Sequence, residues 1–135
     1  MDELEKFFRS DLLDDLTSAE RIYREQRFNI FLPAGLFTED SDYRSAIGDE
    51  KILVQGVIDL FYIDRDGKLI LCDYKTDRLS EKEIASDALL AYAMKQRHGE
   101  QLTYYALALE QLMGRKPDRI LVYATAAGRA VEIQL

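Results

Sequence analysis

Residues 55–75 constrain the fold of this chain more than any other stretch. Residues 57–63 and 69–74 are rich in β-branched, aromatic and aliphatic side chains, with Asp66-Gly67 between them, so the segment reads as a β-hairpin. The turn decides the register. A type I turn with Gly67 in the left-handed region gives a three-residue loop, Arg65-Asp66-Gly67, with a G1 bulge. Asp64 then pairs with Lys68 and, further up the ladder, Asp59 with Asp73; Lys75 follows two residues later and points the same way. A two-residue loop slips the register by one and sends Asp59 and Asp73 to opposite faces. The three-residue loop is the preferred reading.

In that register, one face carries Val57, Phe61, Ile63, Leu69 and Leu71, with Asp59, Asp73 and Lys75 gathered at one end. The other carries Ile58, Leu60, Tyr62, Ile70, Cys72 and Tyr74. Both faces are apolar, which predicts central, buried strands. Cross-strand Cβ atoms lie about 4.5–5.5 Å apart, and like charges at that spacing repel. Two aspartates there require a shared proton, a cationic neighbour or a metal. A hard divalent cation such as Mg²⁺ takes oxygen ligands of this kind, and Lys75 beside it steadies a phosphate or a hydroxide. The competing reading places both aspartates at strand ends in water, with Lys75 merely neutralising Asp73.

A chain of 135 residues with 47% hydrophobic residues has the size and composition of one globular domain. No run approaches the roughly 18 apolar residues of a membrane span, and the acidic N-terminus lacks a signal-peptide pattern. The single cysteine, Cys72, reads as a small core residue and excludes an intrachain disulfide or a four-cysteine iron–sulfur cluster within this sequence, which fits a cytoplasmic setting. The net charge of −7 argues against a free-standing nucleic-acid binder. It is unevenly spread: residues 95–135 hold 6 basic and 4 acidic side chains, against 12 and 21 in residues 1–94.

Residues 2–16 have the period of an amphipathic helix, and residues 18–32 partly alternate like a long strand ended by Pro33 and Gly35. Within that strand Glu25 is a candidate to reach the carboxylate cluster, or else a solvent-facing residue of an outer strand. Residues 35–50 are polar and read as a loop. After Lys75, Ser80 and Glu83 have the spacing of a capping box, predicting a helix over 81–96. His98-Gly99 is expected to break it before a second helix over 100–113, closed by Gly114 and Pro117. Residues 119–125 and 129–133 form a last strand pair. The order is helix, long strand, hairpin, helices, hairpin, with an α-β-β-β-α-β core, an α/β or α+β class with a mixed sheet.

Gly56-x-x-Asp59, Asp73-Tyr74-Lys75-Thr76 and Gln101-x-x-x-Tyr105, in this order, resemble the PD-(D/E)XK nuclease superfamily in its RecB-like branch. Arg24-Glu25 before Phe28, the run 52–60, the run 73–77, the run 101–110 and Val131-Glu132-Ile133 are similar to the nuclease domain of AddA-type ATP-dependent helicase/nuclease subunits. The resemblance covers nearly the whole chain. It implies a restriction-endonuclease-like core, a mixed central sheet flanked by helices, and a single nuclease domain over 1–135 that is the C-terminal piece of a larger helicase/nuclease chain. It implies a metal-dependent DNA exonuclease of double-strand break repair. Asp59, Asp73 and the backbone carbonyl of Tyr74 would hold Mg²⁺ or Mn²⁺, and Lys75 would position or activate the attacking water. Gln101 and Tyr105, four apart on one helical face, would reach the DNA backbone or the active site; Glu25 is a further candidate catalytic residue. On the residues alone, Tyr105 also reads as a core aromatic and Gln101 as a surface side chain. Implied partners are DNA, helicase domains upstream in the same polypeptide and a second helicase/nuclease subunit, with no membrane.

There are departures from the family pattern. A further ligand histidine of AddA-type domains belongs to a helix upstream, and the one histidine here, His98, does not match it. No phosphate-binding loop motif is present, so no ATP site is expected in this sequence. The alternatives are a non-catalytic nuclease-fold module that binds DNA or a partner protein, and an unrelated carboxylate-pair enzyme such as a glycosidase. The latter leaves Lys75 without a role and has no tryptophan to stack a sugar.

Overall fold

The computed structural model describes residues 11–37, 40, 42 and 50–135. The elements are α1 (Asp11–Thr17), β1 (Arg21–Pro33), a 3₁₀ turn (Ala34–Phe37), β2 (Lys51–Ile63), β3 (Leu69–Lys75), α2 (Glu81–Ile84), α3 (Asp87–Met113), β4 (Arg119–Ala124) and β5 (Arg129–Glu132). Among the described residues the strands form one sheet in the order β1-β2-β3-β4-β5. β2–β3 and β4–β5 are antiparallel and β3–β4 is parallel, the mixed α/β arrangement expected. The start of the expected helix over 2–16 and loop positions 38, 39, 41 and 43–49 lie outside the described residues.

By contacts the chain divides into two units, residues 1–26 with 58–135, and residues 27–57. In the smaller unit Phe28, Ile30 and Leu32 are buried while Arg27, Asn29 and Phe31 between them are exposed, the period-2 pattern of a strand with one covered face. Ala34 N–H closes this unit on Glu50 O at 2.8 Å.

The larger unit packs helices on both faces of the sheet. On one face Leu12 and Leu16 of α1 meet Leu60, Tyr62, Ile70, Cys72, Leu121 and Tyr123. On the other, Leu90, Met94 and Leu102 of α3 cover Val122, Ala124 and Val131. β3 lies between β2 and β4 and is buried from Leu69 to Asp73, as a strand covered on both faces must be. That is why its sequence does not alternate.

The turn is the three-residue form. Asp64 N–H bonds Lys68 O at 2.9 Å, Gly67 N–H bonds Asp64 O at 3.0 Å, and Gly67 has φ +79°. The Asp64 carboxylate accepts from the N–H groups of Asp66 and Lys68, which ties the loop down. A Cβ at Gly67 would meet nothing within 4 Å, so only the backbone opposes a side chain there. Gly67→Ala is therefore expected to cost about 1–2 kcal/mol, and Gly67→Asn less, as measured by urea unfolding.

One expectation fails. No break occurs at His98-Gly99: α3 runs unbroken from Asp87 to Met113. A glycine inside a helix costs only about 1 kcal/mol relative to alanine. Burying Met94 and Leu102 on either side, each worth about 1.5–3 kcal/mol, outweighs it. The break comes earlier. The capping box at Ser80 and Glu83 starts the short α2, and Ser86, with φ −148°, starts α3 by accepting from Leu89 N–H. Gly114, at φ +75°, closes α3 through its N–H to Glu110 O.

Candidate active site

The paired register Leu60↔Cys72, Phe61↔Leu71, Tyr62↔Ile70 and Ile63↔Leu69 leaves Asp59 and Asp73 one step beyond its last pair. At that step the Asp59 Oδ2 atom accepts from Tyr74 N–H at 3.1 Å. The Asp59 carboxyl is near enough to act on the Asp73 carboxyl electrostatically. Asp73 is 3% exposed. Burial, and then the Asp59 carboxyl, push the Asp73 pKa up to about 6, although the Lys75 ammonium pulls the other way.

Lys75 stands 2.8 Å from Asp73 Oδ2 as an ion pair. The contact is not aligned as a hydrogen bond, and no other donor among the described residues reaches that buried oxygen. Lys75 Nζ donates to Gln101 Oε1 at 2.6 Å, and Gln101 Nε2 donates to Tyr105 OH at 2.9 Å. Lysine can only donate, which fixes the way the Gln101 amide faces. Gln101 and Tyr105 sit one turn apart on α3, so the helix brings both to the strand end. Burial, then the charge of Asp73, raises the Tyr105 pKa. On the sheet side, Lys75 O accepts from Thr125 N–H at 2.9 Å and from its hydroxyl at 3.2 Å, fixing the lysine backbone to the end of β4.

Asp59, Asp73, Tyr74, Lys75, Gln101 and Tyr105 thus come together at one strand end. Glu25 is placed differently. It lines a hollow of about 810 Å³ with Arg24, Asp59 and Tyr74, above Leu16 and Leu60. Its φ of +49° is rare for a residue with a Cβ. Among the described residues no group of three Asp, Glu, His or Cys side chains forms a metal-binding set, so Glu25 does not join the aspartate pair. Arg24 belongs to the same wall and lowers the Tyr74 pKa, which burial and then the neighbouring Cys72 nonetheless push up to about 12.

The donors fit a hard divalent cation. Asp59 and Asp73 offer oxygen atoms only, the backbone of Tyr74 lies against Asp59, and the under-bonded, buried Asp73 Oδ2 is the atom a cation would satisfy. Sequence reasoning quoted Arg24 without giving it a role, and missed Thr125 and a polar cluster around Asp77. In that cluster His98 Nε2 lies 2.9 Å from both Asp77 oxygens, and Arg97 reaches Asp77, Arg78 O and Glu83. Asp77, two positions after Lys75 and the last residue of the run 73–77, was the signal available for it.

The family model of the PD-(D/E)XK nuclease superfamily matches residues 3–135. The chain is 34% identical over 133 residues to an ATP-dependent helicase/nuclease subunit of Bacillus velezensis, covering 98% of this chain and 10% of that protein. The corresponding ATP-dependent helicase/nuclease subunits from Acetivibrio thermocellus and Clostridium acetobutylicum are 32% and 31% identical over 93% and 96% of the chain, and 9% and 10% of theirs. The chain spans about a tenth of the length of the curated relatives it matches.

Proposed function

The chain belongs to the PD-(D/E)XK nuclease superfamily, and from that premise we propose that it is a divalent-metal-dependent DNA nuclease domain. In this reading it hydrolyses phosphodiester bonds as the exonuclease of a helicase/nuclease complex in double-strand break repair. The observation that carries it is the convergence of Asp59, Asp73 and Lys75 at one strand end, with Gln101 closing over the lysine.

Asp59, Asp73 and the Tyr74 carbonyl would hold the cation. Bound there, Mg²⁺ or Mn²⁺ supplies Lewis-acid polarisation of the phosphoryl oxygen and neutralises developing charge. The remaining work falls to the side chains. An ammonium has three donors; Gln101 engages one at Lys75 and Asp73 holds the charge as an ion pair, leaving donors for the attacking water or a phosphate oxygen. Gln101 and Tyr105 keep the lysine from swinging away and present polar groups to the DNA backbone. Arg24, on the wall of the hollow that reaches Asp59, supplies a cation for an adjoining phosphate. Glu25 on the same wall orients water or Arg24. Helicase domains of the same polypeptide and a second helicase/nuclease subunit complete the proposed context, in the cytoplasm.

Activity of the chain by itself is expected to be weak. Two carboxylates and one carbonyl leave most metal positions to water, and a net charge of −7 repels DNA. The test is digestion of end-labelled linear DNA with Mg²⁺ or Mn²⁺ against EDTA, paired with Mn²⁺ titration calorimetry. Metal-dependent loss of label, abolished by EDTA, is expected. DNA binding with no cleavage under any metal would instead favour the non-catalytic module.

A further inference from the structure

We propose that Asp77, His98 and Arg97 are positioning residues that set Gln101, and through it Lys75, in place; this rests on the nuclease reading of Lys75. The segment after β3 and the helix α3 are joined by two successive rungs. The first is Lys75 Nζ to Gln101 Oε1 at 2.6 Å. The second is Asp77 to His98, at 2.9 Å to each carboxylate oxygen. Asp77 follows Lys75 by two residues, and His98 precedes Gln101 by three, one helical turn, so both rungs share a face of α3.

The two rungs differ in what they could be for. Lys75 to Gln101 contacts the proposed chemistry, whereas Asp77 to His98 does not. The second rung is nevertheless the better anchored. Arg97 Nη1 donates to Arg78 O at 3.1 Å and lies 3.4 Å from Asp77, while its Nη2 donates to Glu83 at 2.7 Å, tying the loop, α2 and α3 together. Burial pushes the Asp77 pKa up, but His98 and Arg97 outweigh it and hold the carboxyl below its ordinary value. An ionised carboxylate only accepts, so His98 Nε2 carries a proton.

A helix held by apolar packing alone can rotate or slide slightly at little cost, because its contacts are non-directional. A 2.6 Å hydrogen bond at Gln101 does not tolerate such movement. Gly99, between His98 and Gln101, has no side chain to pack and adds local freedom. Directional bonds one turn before Gln101 remove that freedom where it matters.

The experiment uses the full chain. His98→Leu is expected to lower kcat for DNA cleavage by about 10- to 100-fold with little change in KM, and to shift the NMR resonances of the Gln101 side-chain amide and Lys75 Nζ. His98→Gln, which restores a donor near Nε2, should recover both. In a Gln101→Ala background His98→Leu should cost little more, because the two act through one contact. Asp87→Asn, which breaks the Arg129 ion pair at 2.8 Å elsewhere on α3, should move neither kcat nor the Gln101 amide. Unmoved Gln101 and Lys75 resonances in His98→Leu overturn the proposal whether or not the protein cleaves DNA. Additive losses in the double variant overturn it as well. If the resonances move but the unmodified chain cleaves no DNA with any metal, the positioning contact stands and the nuclease reading falls.

Discussion

Replacing Lys75 with alanine is expected to lower DNA cleavage by about 10²–10³-fold or more, the usual worth of one preorganised electrostatic group, while the chain still folds. The lysine is mostly enclosed, with 16% of its side chain exposed, and its ammonium is directed by Asp73 and Gln101. A buried carboxylate that loses its cation normally destabilises a protein by several kcal/mol. Here there is relief: without the Lys75 charge the already raised Asp73 pKa rises further, and Asp73 takes up a proton. The fold is therefore retained, and near-neutral stability falls less than removal of a buried partner would suggest. Steady-state cleavage at saturating metal, with circular dichroism melts alongside, checks this. Cleavage at a near-normal rate in Lys75→Ala would remove the lysine from the chemistry.

Asp73→Asn should do two things at once: abolish cleavage and make the protein more stable at neutral pH. The sign follows from proton linkage. The folded pKa is about 6 and the ordinary value is 3.8, so between those values the folded state holds more protons than the unfolded state. Stability therefore falls as pH rises from about 4 to 6 and stays lowered above that. A rise from 3.8 to about 6, at about 1.4 kcal/mol for each tenfold change in proton affinity, makes the cost of the ionised aspartate on the order of 3 kcal/mol. Asparagine carries no charge to bury. Its melting temperature should exceed that of the unmodified chain by several degrees at pH 7–8, with the gain vanishing near pH 4. Melts across pH 4–8 decide it. A variant that is less stable than the parent at pH 8 would mean that Lys75 fully compensates Asp73. A gain in the Asn variant would mark the site as one where the proposed function is held at the expense of stability.

Much of this arrangement could be read from short-range rules. Asp66-Gly67 between two apolar runs specified the loop, the loop specified the register, and the period of two aligned Asp59, Asp73 and Lys75. The caps at Ser80 and Gly114 were legible for the same reason: each is a local bond between neighbours in sequence. What escaped depends on partners far apart in the chain. The continuity of α3 through Gly99 comes from burial of Met94 and Leu102 against strands that no local pattern reveals. Asp77 and His98 are 21 residues apart, and each alone reads as a surface polar residue. The positive φ of Glu25 is likewise invisible, because a glutamate gives no sign that the backbone takes that conformation.

The pleat of β3 also sorts ligands by chemical softness. Successive side chains of a strand point to opposite faces, so the alternation that aims Asp73 at the strand-end cluster turns Cys72 away into the core beneath α1. Burial, and then the charges of Asp73 and Asp59, raise its thiol pKa far above the physiological range. The chain's one thiol is therefore kept protonated, one residue from a carboxylate pair yet on the wrong side of the sheet. Thiophilic ions such as Cu(I) or Zn²⁺ would find only oxygen atoms where Mg²⁺ is proposed to bind. A one-residue slip in the hairpin would reverse that selection by exchanging sulfur for oxygen at the same place.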